Sequence, residues 1–523
     1  MMRAMPRRWL AWTAVGALVL LSFALRFHQL GLHSLWSDEL YSVATITQVG
    51  ADKPWYAYEA KNLPDLRLAD SFLTWKTAES SPPLFEALLW LWTGAFGLSE
   101  FAVRSLSALF GALTPLLFFA GLRRPLGVVP ALLGAFVFAV APSSVAYSQE
   151  ARGYALLMFL STLASVRLVQ YMLPEPGAQA AGRKGLWYSF GVDVGIFVLL
   201  SYTHYTGFIL SCALVGIRFI WMLIQRQRWR ELWWFLLVPA LLLPWILLNW
   251  HSIKMTNTGI FGWRDYAMAD VWTMMLPQAA EYFLPGQYTL WLAGLVALAG
   301  AAWGQRAAAA GQPWFKPWLL DARMLLVLAF AATVMLQFGH GAYTAFHARV
   351  WHPRYFSAML PLCMVSFALL FSLAGRRQWL PAGITLVVCC MSLVAVNGYY
   401  NQPSYKEDYR GASLYISQAT HGKPLVVATW ASNAIFFNHY LTIFMPRAGI
   451  PYDLATVNTP ADVDAICHRE LAPGTQVVLF QHMMHRFYFD LFLKQCAGEL
   501  KMVSERQFNG LFVNIFERTA LGS

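Results

Sequence analysis

Charge is what this sequence has least of. Asp, Glu, Lys and Arg make up 12% of its 523 residues, about half of the roughly 25% found in soluble globular domains. With 58% hydrophobic residues and a mean hydropathy of +0.47, that scarcity excludes a soluble protein and predicts a polytopic helical membrane protein. Cysteine is also scarce. Of the six, Cys212, Cys363, Cys389 and Cys390 fall in apolar runs and read as inert core residues. Cys467 and Cys496 fall in a polar region. They pair if that region faces an oxidising compartment, and are otherwise two buried thiols. No small-x-small cleavage site follows the first apolar run, so it reads as an uncleaved anchor. There is no Gly-rich phosphate loop, no internal repeat and no His-x-x-x-His spacing. The net charge of +11 does not call for nucleic acid. The basic residues come in short clusters between apolar runs, as in the cytoplasmic loops of membrane proteins.

About 20 apolar residues cross a bilayer. Runs of this kind place about eleven transmembrane helices, near residues 9–27, 102–122, 126–142, 153–173, 187–202, 205–224, 231–250, 287–303, 324–343, 355–374 and 379–397. Arg123-Arg124, Arg183-Lys184, Arg226/Arg228/Arg230, Arg306/Lys316/Arg323 and Arg376-Arg377 fall in alternate loops. The positive-inside rule puts these in the cytoplasm with the N-terminus. The other loops, with Asp38, Glu39, Asp52, Asp65, Asp70, Glu79, Glu150 and His204, then face outside. Segment 28–101 is one of them. Its Leu84–Phe96 run is too short to span and reads as an interfacial helix. Span centres are nearly free of charge, with Asp193 an exception.

Residues 1–397 thus read as the transmembrane domain and 398–523 as a soluble outer α/β domain. In the latter, Leu425–Thr429 and Gln476–Phe480 read as buried strands. Residues 460–471, N-capped by Thr459, and 486–497 read as helices. Lys406-Glu407-Asp408-Tyr409-Arg410 reads as a solvated helix start, from which Lys406 or Arg410 can touch a lipid phosphate.

The chemistry concentrates in the outer loops. Asp38-Glu39 follows the first apolar run directly, and carboxylates at a membrane boundary are costly to desolvate, so they mark a functional site or a wet cavity. The loops also carry Leu35-Trp36-Ser37-Asp38-Glu39, Ser81-Pro82-Pro83-Leu84-Phe85, Ser99-Glu100-Phe101-Ala102-Val103-Arg104, Tyr147-Ser148-Gln149-Glu150-Ala151-Arg152-Gly153-Tyr154, Tyr202-Thr203-His204-Tyr205 and His352-Pro353-Arg354-Tyr355-Phe356. In this order and spacing they resemble bacterial members of the GT-C glycosyltransferase superfamily, in the group related to protein O-mannosyltransferases and lipid A aminoarabinose transferases. The resemblance covers residues 1–400; the tail is less specific.

The resemblance implies an inverting transferase that takes a sugar from a polyprenyl phosphate such as undecaprenyl phosphate. It implies Asp38 as general base, with Glu39 beside it orienting a loop or binding acceptor, and Arg and His residues of later outer loops on the lipid phosphate. Arg354, at the outer end of a span, either grips phosphate oxygens bidentately or snorkels to headgroups. His347, Arg349 and His352 make that loop cationic, and Tyr355 follows as a supporting residue. Glu150 and Arg152 either pair or serve the site, with Arg152 able to reach the phosphate. His204 either meets phosphate or acceptor or is a hydrogen-bonded interface histidine. Glu86, like Glu79, flanks Pro82-Pro83 as a supporting candidate.

No cofactor is expected and no metal ligand set is assigned. Some superfamily members use a divalent ion, but no spacing here supports one. The expected partners are the lipid-linked donor, the bilayer of a bacterial inner membrane, and an acceptor that is a glycan, lipid or protein. The alternatives are a lipid-linked sugar transporter or flippase, which needs a hydrophilic path across the bilayer, and a non-catalytic membrane subunit, which leaves the outer charges without a purpose.

Overall fold

Inside a bilayer the backbone must satisfy its own N–H and C=O groups, and an apolar run does so as a helix. The computed structural model describes residues 5–47, 76, 81–174, 183–226, 229–257, 265–283, 321–374, 378–401, 406–429, 431–457, 459–482 and 487–519. Among these, five helices are long and apolar enough to cross a membrane: Glu100–Leu122, Tyr154–Met172, Tyr205–Ile224, Ala322–Ala348 and Trp379–Asn401. A sixth crossing arises if Val128–Val140 and Pro142–Ser148, bent by 57°, are one span. The expected spans at 9–27, 187–202, 231–250 and 355–374 coincide with shorter apolar helices, and the one at 287–303 lies outside the described residues. Leu84–Phe96 is a helix of 13 residues. The protein is a multi-pass membrane protein with a small C-terminal sheet. Cys212 and Cys390 lie on exposed helix faces, which corrects their reading as core.

The chain divides into two compact units: Met1–His28 with Glu79–Leu88 and Arg104–Gln402, and Gln29–Ala78 with Leu89–Val103 and Pro403–Ser523. In the first, the membrane unit, the bend has a local cause. Ala141 precedes Pro142 and takes an extended ψ of 118°, because a residue before proline is driven out of the helical region. The break orphans carbonyls at the end of Val128–Val140. Arg26, fully buried in the helix α1 (Met5–Phe27), donates to one of them, Ala139 O, at 2.9 Å, and to Ser144 Oγ at 2.9 Å. Gln149 reciprocates. Its Nε2 donates to the carbonyls of Arg26 at 3.2 Å and His28 at 2.7 Å, at the end of α1. Asp193 is clamped as well. It accepts from Arg218 at 2.6 Å and from Arg167, and the Arg218 guanidinium lies 4.0 Å from the Tyr171 ring centroid and 4.5 Å from that of Phe190.

The second unit holds the five-stranded sheet, in the order β2-β1-β3-β5-β4. Strands β1 (Leu425–Thr429), β2 (Asp453–Val457) and β3 (Gln476–His482) are parallel, while β4 (Leu500–Phe508) and β5 (Leu511–Arg518) form an antiparallel hairpin on β3. Every residue of β1 is buried, as are the first six of β3. A parallel strand covered on both faces reads as a continuous apolar run. On one face Val427, Val477 and Leu479 pack with Val463, Ile466, Phe489 and Phe492. On the other, Phe480 stacks on Phe437 at 3.5 Å between centroids. Thr459 caps the helix Pro460–Cys467 in a capping box with Asp462. A disulfide joins Cys467 to Cys496, so the cysteines pair. The hairpin β4–β5 turns at Asn509-Gly510, a hairpin signal that the sequence reading did not use. Gly510 supplies the φ of +71° that the turn requires.

Within this unit His439 is held neutral: burial drives its pKa down to about 4, against a smaller opposing pull from Glu100. The unfolded chain, with a histidine near 6.5, then binds more protons below that pH than the folded one, so stability falls as pH drops from about 6.5 to 4. We expect a loss on the order of 3 kcal/mol across that window. His439→Gln should flatten this part of a melting-temperature profile; an unchanged acid slope would contradict the assignment.

Candidate active site

In the membrane unit, short segments at helix ends bring together residues far apart in sequence. His352 caps the short 3-10 helix Pro353–Phe356, its Nδ1 accepting from Arg354 N–H at 3.2 Å. His204 does the same for Tyr205–Ile224, accepting from Thr206 N–H at 3.2 Å. In both rings Nδ1 is therefore an acceptor, and Nε2 carries the proton of the neutral form. Tyr355 lies between them, 6.0 Å from the His204 centroid and 6.4 Å from that of His352. Tyr154 extends the row, 6.0 Å from His204, and Tyr147 follows at 5.3 Å. Tyr147 is in turn within electrostatic range of Glu150, Arg354 and Tyr282.

Arg354 and Glu150 are buried. The carbonyl of Arg354 accepts from Ser357 Oγ at 2.6 Å, and that hydroxyl meets Tyr282 Oη at 2.7 Å. Arg152 reaches Glu86, which is also buried, at 3.9 Å. Arg354, His352, Tyr355, His204 and Glu150 are thus linked through rings and charges, and Arg152 pairs with Glu86. Gly153, between Arg152 and Tyr154, lets the chain pass close to Phe85; a Cβ there would sit 3.2 Å from Phe85 Cβ. Arg349 is placed differently. It is half exposed and pairs with Asp265 at 2.7 Å. His347 is exposed and stacks on Tyr343 at 4.0 Å. Glu79 lies outside the described residues.

In the sheet unit, Asp38 and Glu39 occupy the first turn of the helix α2 (Ser37–Thr47), where the positive end of the helix dipole favours carboxylates. They are not equivalent. Asp38 is partly exposed. Glu39 is fully buried, accepts from Trp36 N–H at 3.3 Å and faces Lys406 Nζ at 4.0 Å. Adjacent helical residues point about 100° apart, which is why one carboxylate is structural while the other is accessible.

The Lys406–Arg410 segment begins a helix, capped by Asp408, but it is only partly solvated. Lys406 and Tyr409 are buried. Arg410 binds Glu100 at 3.0 Å and the Leu32 carbonyl at 2.6 Å. Tyr440 Oη bridges Leu35 N–H, at 2.8 Å, and Glu100, at 3.2 Å. The phenol of Tyr409 is pushed well up by burial first, and then by Glu407, Tyr41 and Asp38, so it stays protonated. Sequence reasoning gave no site role to Tyr147 or Glu100, though both stand in the outer motifs, and missed Tyr282, Tyr440 and the fully buried Lys76. Lys76 carried a signal as a lone lysine beside Trp75; Tyr282 and Tyr440 carried none.

A polytopic helical body with a C-terminal sheet is a fold this chain shares with solved structures. Its solved neighbours include ArnT from Cupriavidus metallidurans in the apo state, with a TM-score of 0.58, 13% identity and 98% of each chain covered. The same protein bound to undecaprenyl phosphate matches with a TM-score of 0.55 and 13% identity, over 96% of this chain and 97% of that one. The Archaeoglobus fulgidus oligosaccharyltransferase in complex with Zn and sulfate matches with a TM-score of 0.51 and 12% identity, over 96% of this chain and 72% of that one. No family model and no curated relative matches the sequence.

Proposed function

We propose that this protein is an inverting glycosyltransferase that moves a sugar from a polyprenyl-phosphate donor to an acceptor on the outer face of a bacterial inner membrane. The observation that carries this reading is the buried Arg354 set among Glu150, Tyr147 and two capping histidines at helix ends. A neighbour of the same fold that binds undecaprenyl phosphate supports it. In this reading Asp38 takes the proton from the acceptor hydroxyl or amine. The acceptor atom attacks the anomeric carbon from the side opposite the phosphate. The bond from that carbon to the phosphate oxygen breaks, and the polyprenyl phosphate leaves with the electron pair. Arg354 meets that developing charge, and Arg152 and His352 support it. The N-terminus is cytoplasmic and residues 398–523 are extracytoplasmic.

The test is purified protein in proteoliposomes with labelled polyprenyl-phosphate sugars and cell-envelope acceptors. Transfer with inversion supports the reading; movement of intact donor between leaflets without transfer selects the flippase. Asp193, the charge from which a transport path would start, is already engaged by two arginines. Arg354→Lys should raise the donor KM and lower kcat, together about 10-fold or more in kcat/KM, because an ammonium cannot reproduce a bidentate fork. An unchanged kcat/KM would remove Arg354 from the phosphate. The step is assigned to a guanidinium and a carboxylate without a metal, so turnover should survive EDTA; loss restored by a divalent ion would overturn that part.

A further inference from the structure

One carboxylate of the sheet unit has no role in the chemistry above. Glu407 accepts from both the backbone N–H and the Oγ of Ser37, each at 3.4 Å. Ser37 opens α2 and directly precedes Asp38. Glu407 is itself fixed from the sheet. His482, the last residue of β3, contacts it through Nε2 at 3.3 Å. The β4–β5 turn holds the backbone on either side: Asn509 Nδ2 donates to the Lys406 carbonyl at 2.6 Å, and Asp408 N–H donates to the Asn509 carbonyl at 3.0 Å. Gly510, next in that turn, lies against the Glu407 side chain so closely that a Cβ would come within 2.8 Å of its Cγ. The contacts form one chain, from strand end and hairpin turn through Glu407 to the first amide of the helix that carries Asp38.

A free amide at a helix start is satisfied by water or by any nearby acceptor. Here the acceptor is a partly buried carboxylate held from three sides, which fixes where α2 begins and therefore where its second residue points. Resting on the reading of Asp38 as the base, we infer that Glu407 is a positioning residue for the transfer reaction, and that the C-terminal sheet serves catalysis by holding it. Oε2 accepts from the Ser37 amide and Oε1 from its Oγ; a glutamine oxygen keeps the bond to the amide, and its NH2 can donate to the Oγ in place of the other. His482 contacts Glu407 with a ring nitrogen, and a glutamine amide can replace that as well.

The experiment measures kcat and donor KM in the full-length protein in proteoliposomes for five variants, with melting temperatures alongside. Glu407→Ala should lower kcat by about 10- to 100-fold, the scale of a misplaced catalytic group, and leave the donor KM unchanged. Glu407→Gln should restore kcat to within about threefold, because its oxygen still accepts from Ser37. Ser37→Ala and Gly510→Ala disturb the same carboxylate without deleting it, and each should lower kcat by a smaller factor, about 3- to 10-fold. They keep the test decisive if Glu407→Ala does not fold. The fifth variant, Asp38→Asn, separates the two levels of argument. If it is inactive while Ser37→Ala, Gly510→Ala and every folded Glu407 variant turn over like the wild type, the positioning role is overturned and the base stands. If it turns over normally, the base assignment fails and takes this inference with it. Loss of activity in Glu407→Gln equal to that in Glu407→Ala also overturns the inference, since positioning by an acceptor oxygen would have survived.

Discussion

Asp38→Asn is expected to abolish transfer, by about 10²- to 10⁴-fold, the usual contribution of a positioned general base, with little change in melting temperature. The substitution keeps the shape of a side chain that is only partly buried. It removes the lone pair that accepts the proton and a modest interaction with the dipole of α2, about 0.3–1 kcal/mol. The neighbouring substitution should do the opposite. Glu39→Gln leaves Lys406, 5% exposed, without the carboxylate it faces at 4.0 Å, and a buried charge stripped of its partner is strongly destabilising. Glu39→Gln is therefore expected to lower the melting temperature while folded protein keeps the donor KM. Single-turnover rates and thermal unfolding of the two variants side by side are the measurement. Equal effects of both on kcat, with no difference in stability, would undo the division of labour between the two carboxylates.

The second large effect concerns the bundle. Asp193→Asn should destabilise the membrane unit by about 3–5 kcal/mol, the range for breaking a buried ion pair. It leaves two guanidinium groups without their shared counter-charge, Arg218 buried and Arg167 a quarter exposed. Arg218 keeps its stacking on Tyr171 and Phe190, which offsets part of the loss. The double variant Asp193→Leu/Arg218→Met removes both sides of the more buried pair and is expected to recover much of the stability, since a well-packed apolar pair often matches a buried ionic one. Thermal unfolding in a fixed detergent decides the matter. A single variant as stable as the wild type would show that the ions are hydrated.

Much of this was legible in the chain because it depends on local composition. The apolar runs near residues 102–122, 153–173, 205–224, 324–343 and 379–397 fall in long helices, since a helix satisfies its own backbone in lipid. The apolar runs at 425–429 and 476–480 became buried parallel strands, and Thr459 capped its helix as its position three residues before Asp462 implies. The order of the outer motifs carried the fold. What composition hid was pairing. Lys406–Arg410 looked like a solvated cluster because four charges of mixed sign around one tyrosine are usually solvated. Nothing local reveals that Glu39, Glu100 and the Ser37 amide, more than 300 residues earlier, supply their partners.

The sequence by itself pointed to a membrane protein, to its long apolar helices and to two of its five strands, because these follow from hydropathy and periodicity along the chain, and the order of its motifs made Asp38 the candidate base. The tertiary structure alone decided that Glu39 is buried structure and Asp38 is accessible, that Arg349 is tied to Asp265 while Arg354 is enclosed with Tyr147 and Glu150, and that Glu407 reaches the start of α2. The physical reason is one of range. Burial and hydrogen bonding are set by whichever groups folding brings within about 4 Å, and separation along the chain does not encode that distance.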